Sequence, residues 1–263
     1  MARSDIEDEG SYTCVVKNRA GESTVDFNLI VLVPPKILIL EKDKIRQVIE
    51  ESSVALSCPA SGKPDPQISW SKDGMHLDPA SIGEKIHDAE ISGNQLTFLR
   101  ISVSDGGRYS CTATNKAGSA ESDVSVAVMT SPRIERDGIP DKIDAIINER
   151  ATISCPVYGT PQPEILWLKA GRPIELEPNT VYVAAGGQKL HFVEVTEEHL
   201  GQYTCVAKNK AGEDKRDFDL QVLVAPFISD SNVPTNLYLT VGRSTILRCP
   251  VGGSPTPRIS WLK

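Results

Sequence analysis

The chain has no apolar run approaching 18 residues, so no segment has the length that a membrane-spanning helix needs. No stretch carries a sustained helical period of apolar residues. The Gly-x-Ser-x-Gly elbow, the phosphate-cradling Gly-x-x-x-x-Gly-Lys loop and the His-Glu-x-x-His helix are all missing, and Gly186-Gly187 lies between two strand patterns rather than before a helix. No catalytic residue, cofactor or small-molecule substrate is therefore expected. Histidine is scarce: His76, His87, His191 and His199 share no metal-ligand spacing. The acidic cluster Glu194, Glu197 and Glu198 lacks a calcium loop's Asp-x-Asp-x-Asp spacing and reads as a solvated face, so no metal is expected. There is no N-glycosylation sequon, since Asn179-Thr180-Val181 fails at its third position. With 28 basic against 35 acidic residues, net −7, a nucleic-acid partner is disfavoured. The first residues, MARSDIEDEG, have no apolar stretch of the kind a signal peptide needs.

What is present is a repeat. Tyr-x-Cys-x-x-x-Asn-x-Ala-Gly begins at Tyr12, Tyr109 and Tyr203, and Cys-Pro-x-x-Gly-x-Pro-x-Pro-x-Ile-x-Trp begins at Cys58, Cys155 and Cys249. The spacing is 97 then 94 residues for both phrases, and for the prolines Pro35, Pro132 and Pro226 as well. A period near 95 is the size of a small domain rather than a solenoid repeat. Each cysteine of the second phrase stands 12 residues before its tryptophan, while Leu96 and Leu190 stand 15 before the next cysteine. Only the Trp-to-Leu stretch changes, 26 residues against 23, as a surface loop allows. The expected organisation is a part-domain over 1–33, whole domains over 34–129 and 130–225, and a second part-domain over 226–263.

Within each unit apolar residues alternate, as in half-buried strands. The inward sets are Val54, Leu56 and Cys58; Tyr109, Cys111 and Ala113; and their counterparts Ala151, Ile153 and Cys155, and Tyr203, Cys205 and Ala207. Trp70 and Trp167 face inward beside Ile68 and Ile165, and His191, between inward Leu190 and Phe192, points out. Asn-x-Ala-Gly between two alternating runs reads as a hairpin whose Asn and Gly tolerate positive φ. Arg136-Asp137-Gly138 reads as a turn. The expected fold is all-β, an antiparallel sandwich or barrel, and in each whole unit two inward cysteines flank an inward tryptophan.

Cysteine, tryptophan 12 residues on, then Asp-x-Gly-x-Tyr-x-Cys (Asp8–Cys14 and Asp105–Cys111) resembles the immunoglobulin signature, and the unit length, turn and opening proline resemble its I-set. The Cys-Pro-x-x-Gly-x-Pro opening, Trp167-Leu168-Lys169-Ala170-Gly171 and the Arg136–Pro140 segment are similar to the immunoglobulin arrays of the hemicentins, extracellular-matrix proteins. The resemblance implies tandem Greek-key β-sandwiches with Trp70, Leu96, Tyr109, Trp167, Leu190 and Tyr203 as core signature. It also implies disulfides Cys58–Cys111 and Cys155–Cys205; reduced core cysteines, as in muscle I-set domains, are the alternative. Cys14 and Cys249 have no intradomain partner within residues 1–263, and a head-to-tail union of two chains through them would lack two strands. In the third copy His199 replaces the aspartate of the motif, and a modestly weaker corner, not a pH switch, is expected.

The function so implied is a non-enzymatic structural and adhesion segment of an extracellular-matrix protein. The junctions Met129–Pro132 and Val224–Pro226 have no Gly/Ser spacer, which suits a semi-rigid array. Partners would be other matrix or cell-surface proteins, copies of the chain among them. The alternatives are the ectodomain of an adhesion receptor with homophilic binding and an intracellular, titin-like sarcomeric scaffold.

Overall fold

The computed structural model describes residues 4–80, 82, 86, 88–229 and 236–263. His87 lies outside the described residues. The chain divides into two compact units, Met1–Thr130 and Ser131–Lys263.

The first unit opens with a hairpin, β1 (Gly10–Asn18) and β2 (Gly21–Leu29), which pairs Tyr12 with Phe27 and Cys14 with Val25. There follow β3 (Val33–Ile37), β4 (Ile45–Ile49), β5 (Val54–Ser57), β6 (Ala60–Lys63), β7 (Gln67–Lys72), β8 (Met75–Leu77), β9 (Ala89–Ser92), β10 (Gln95–Phe98), β11 (Gly107–Asn115) and β12 (Gly118–Ile134), whose residues to Thr130 belong to this unit. One sheet has the order β5-β10-β9. The other runs β12-β11-β7-β8, with β4 added parallel to β12 over Ser125–Met129.

The second unit repeats the plan. It contains β13 (Lys142–Ile146), β14 (Ala151–Ser154), β15 (Val157–Thr160), β16 (Glu164–Lys169), β17 (Arg172–Pro173), β18 (Val181–Ala184), β19 (Lys189–Phe192), β20 (Gly201–Asn209), β21 (Gly212–Ile228) and β22 (Val251–Ser254). Its sheets are β14-β19-β18 and β13-β21-β20-β16-β17, with β13 parallel to β21. Leu38 donates its N–H to the Pro59 carbonyl in one unit, and Glu135 does the same to Pro156 in the other. Those positions are equivalent in the repeat, so the chain enters both sandwiches in the same way.

Two sheets face each other because the alternating residues leave one apolar side on each. The tally of inward residues follows the sequence pattern: Leu56, Cys58, Trp70, Leu96, Phe98, Tyr109, Cys111 and Val124 in one core, and Ile153, Cys155, Trp167, Leu190, Phe192, Tyr203, Cys205 and Phe218 in the other. Phe98 meets Tyr109 edge-on with ring centres 5.6 Å apart, and Phe192 meets Tyr203 at 5.5 Å. The same aromatic pair therefore closes the same end of each core.

Of the first three strands of a unit expected over 226–263, two are missing, and residues 236–250 form no strand. Residues 255–263 form no strand, and Trp261 is 61% exposed. A strand needs a hydrogen-bonded neighbour, and among the described residues none pairs with this segment.

Leu96 and Leu190 are fully buried, so truncation should leave an unfilled cavity in either unit. Leu96→Ala is expected to cost its unit about 3 kcal/mol, and Leu190→Ala a similar amount. Urea unfolding followed by tryptophan fluorescence, with Trp70 and Trp167 as separate reporters, measures each; a cost below about 1 kcal/mol would contradict the burial.

Candidate functional site

The centre of each unit is a cysteine pair beside a tryptophan. Cys58 and Cys111 are disulfide-bonded with Cα atoms 6.3 Å apart, and Cys155 and Cys205 with Cα atoms 6.6 Å apart. In the strand register Trp70 stands directly opposite Cys111, and Trp167 directly opposite Cys205. The bridges enclose separations of 53 and 50 residues, for which the chain-entropy account gives about 4 kcal/mol each. Cys14 is exposed and Cys249 half-buried, both as free thiols. The tryptophans differ in one respect. Trp167 Nε1–H donates to the Gly187 carbonyl at 2.7 Å, whereas Trp70 Nε1–H is buried with no hydrogen-bond partner among the described residues.

The tyrosines before the second cysteine close a corner. Tyr109 donates its hydroxyl to the Asp105 carbonyl at 2.6 Å, Tyr203 to the His199 carbonyl at 2.9 Å, and Tyr12 to the Asp8 carbonyl at 2.7 Å. Burial pushes the Tyr203 hydroxyl up to about 12, so it stays protonated and keeps donating. Asp105 in turn accepts from the Ser102 N–H at 2.8 Å and its hydroxyl at 2.7 Å.

At the equivalent place the expected loss does not occur. His199 Nδ1 lies 2.8 Å from the Thr196 N and 3.1 Å from its hydroxyl, so the imidazole accepts the bond that aspartate makes elsewhere. The backbone N–H can only donate, so this requires Nδ1 unprotonated. Burial, then the nearby Lys169, holds the His199 pKa below the usual imidazole value, with Glu198 opposing.

Two further roles were not apparent in the sequence. Lys72 Nζ donates to the Ser104 carbonyl at 2.6 Å and lies 5.7 Å from the Tyr109 ring centre. Lys169 does likewise to the Glu198 carbonyl and the Tyr203 ring. The signal was available, because a lysine follows each tryptophan by two residues (Lys72, Lys169, Lys263). The hairpin asparagines work through their side chains, not through positive φ. Asn115 accepts from the Ala117 N–H at 2.8 Å while donating to the carbonyls of Val33 and Pro64, both at 2.8 Å. Asn209 accepts from Ala211 and Gly212 and donates to Pro161. Of the three Ala-Gly glycines only Gly118 has positive φ, +149°.

The outward faces differ between units. Beside each other on β7 and β11 stand Ser69 with Thr112 and Ser71 with Ser110. The equivalent pairs on β16 and β20 are Leu166 with Val206 and Leu168 with Thr204, and Leu166 is 49% exposed. The exposed acidic residues Glu194, Glu197 and Glu198 and the outward His191, bonded to Thr152 and stacked on Tyr182, complete no ligand set. Among the described residues no group of three or more His, Cys, Asp or Glu side chains could hold a metal ion.

The model of the immunoglobulin I-set domain matches residues 38–128 and 134–222. Over the whole chain the sequence is 36% identical to hemicentin-1 of Mus musculus, of whose length it spans 5%. It is 29% identical to neural cell adhesion molecule 1 of Gallus gallus, over 97% of this chain and 24% of that protein. An I-band fragment from titin superposes with a TM-score of 0.69 at 25% identity, covering 84% of this chain and 76% of the fragment.

The corner carries a pH prediction. Because folding lowers the His199 pKa, its contribution is fully present above the unfolded imidazole value near 6.5 and fades as pH falls through the folded value. Urea unfolding of the second unit, read through Trp167, should weaken from pH 7 to pH 5, and His199→Asp should flatten that slope; an unchanged slope would refute the assignment. A second comparison concerns the tryptophans. Trp167→Phe should cost about 1 kcal/mol more than Trp70→Phe, since only the first breaks a hydrogen bond.

Proposed function

The chain belongs to the immunoglobulin I-set family, and from that premise we propose that it is a load-bearing contact segment of an extracellular-matrix protein. Its domains are those at 34–129 and 130–225, with parts of neighbours at 1–33 and 226–263. Adhesion proteins are among its relatives, which supports protein–protein contact as the general role. The observation that carries the extracellular reading is the pair of cross-sheet disulfides, since such bonds persist in oxidising compartments. Similarity to hemicentin-1 across the whole chain favours the matrix over a receptor ectodomain.

The mechanics follow from the bonding. A load along the chain pulls β12 and β21 in shear against the parallel strands β4 and β13, so several backbone bonds must break together. Beyond that point the disulfides keep about 50 residues of each unit from extending. The proline-bearing junctions, without a flexible spacer, transmit the load from one domain to the next. No step of this role needs a cofactor or a reaction. The outward Leu166–Val206 patch offers apolar area for a protein partner, a chemistry absent from the Ser/Thr face of the first unit.

Titration of thiols in the unreduced, denatured secreted chain tests the compartment. Two reactive thiols, Cys14 and Cys249, are expected; six would instead place the chain among reduced, titin-like scaffolds. Beads coated with the chain test the contact role. Adhesion to cell-free matrix, cut about tenfold by Leu166→Asp, is the expected result. Clustering of the beads with one another in place of matrix adhesion would favour the homophilic receptor.

A further inference from the structure

The two units share one fold, yet β12 and β21 and the loops beside their outer edges carry different residues at equivalent positions. In the second unit the loop 135–141 is fastened to β21 from both sides. Arg136 on the loop bonds Asp214 at 3.0 Å and donates to the Lys215 carbonyl at 3.0 Å. In return Arg216 on the strand bonds Asp141 at 2.8 Å and donates to the carbonyls of Glu135 and Ile139. Arg216 is 7% exposed and lies 5.0 Å from the ring centre of Phe218. The edge is sealed by two ion pairs, three capped carbonyls and a buried cation over an aromatic ring.

Among the described residues the first unit has no equivalent fastening. By the constant spacings, Arg136, Asp141, Asp214, Arg216 and Phe218 correspond to Ile39, Lys44, Ala120, Ser122 and Val124. At this edge the second unit has a groove of about 350 Å³ walled by Arg136, Asp141, Lys215, Arg216 and Asp217, whereas the groove of about 340 Å³ in the first is lined by Leu38, Leu40, Leu56, Pro59, Val124 and the Asp43–Arg46 ion pair. Leu38 and Leu40 are exposed there. Strand β4 covers β12 only over Ser125–Met129. From Gly118 to Val124, β12 has β11 on one side and, among the described residues, no strand on the other. The Ser125 N–H points to that outer side, where it meets the Lys44 carbonyl. Backbone direction alternates along a strand, so Ser119, Glu121 and Asp123 turn their N–H and C=O groups the same way.

We propose that the outer edge of β12 over Ser119–Asp123 is a strand-addition site for an extended segment of a partner protein, in which apolar side chains enter the groove and alternate with basic ones. Backbone bonds along the edge would provide affinity, and the groove would select the apolar residue. Charge selects the rest. Asp123 is paired with Arg108, while Glu121 is exposed and has no ion pair among the described residues. A residue of the added strand on that face stands directly beside Glu121, where a lysine or arginine is favoured and a second copy of this acidic edge is not. The proposal rests on the protein-contact reading and identifies the place and chemistry of one contact.

The test uses the full chain, isotope-labelled, with the capped heptapeptide Lys-Val-Lys-Leu-Lys-Val-Lys as probe. Saturable NMR shifts at Leu38, Leu40 and Val124 are expected, with amide exchange at Ser119, Glu121 and Asp123 slowed about tenfold and residues 213–218 unchanged. Glu121→Lys, an exposed substitution, should weaken binding about tenfold and transfer preference to the Glu-Val-Glu-Leu-Glu-Val-Glu peptide. Lys44→Asp with Ser122→Arg and Val124→Phe imports the Arg216–Asp141 half of the second unit's seal, with its aromatic ring, and should abolish binding. No saturable binding at millimolar peptide would overturn the site, leaving Glu121 as a guard against edge-to-edge aggregation. Equal binding by Glu121→Lys, or equal protection of β21, would overturn it too. Matrix adhesion is not read in this experiment, so its failure leaves the contact role untouched.

Discussion

A sandwich of fewer than 100 residues has a core only two side-chain layers thick, and in each unit one covalent bond ties its two sheets together across that core. Cys58–Cys111 and Cys155–Cys205 each join the end of an early strand to the middle of a late one. The tryptophan opposite the late cysteine then fills the space around the bridge. Pinning these three residues sets the distance between sheets. Leucines 96 and 190 and the tyrosines 109 and 203 can pack only at that distance, and the tyrosine hydroxyls reach the corner carbonyls only from there.

Away from this centre the two units diverge, and the divergence is where their surfaces become different objects. One carries three serines and a threonine on β7 and β11; the other carries two leucines, a valine and a threonine at the same positions. One leaves the outer edge of β12 bare beside an apolar groove; the other seals it with Arg136 and Arg216. A repeat can therefore keep one fold while each copy offers its own contact chemistry, because edge and outward positions contribute little to the shared core.

Much of this was legible from spacing alone. Alternation named the inward residues, and the fixed separations of Cys, Trp, Leu and Tyr placed them in one layer. Other readings misjudged which atoms act. Asparagines 18, 115 and 209 accept hydrogen bonds in their turns through side-chain oxygens, and composition cannot distinguish that from a preference for positive φ. His199 was expected to forfeit a bond that its ring nitrogen makes. Lys72 and Lys169 each span to a carbonyl across the corner, a role that no spacing had assigned to them. Arg216 stands among charged neighbours in a strand, and only its pairing with a loop 75 residues earlier reveals why it is buried.

By itself the sequence determined the all-β class, the repeat, the inward faces and the cysteine–tryptophan layer, because period-two patterning and recurrent spacing are properties of the backbone that survive without coordinates. Only the tertiary structure decided which polar groups are satisfied and by whom: Trp167 paired and Trp70 not, His199 standing in for aspartate, one edge sealed and the other open. Apart from the local His199–Thr196 bond, those outcomes depend on contacts between residues well separated in the chain, where an ångström or a side chain's length separates a hydrogen bond from a groove.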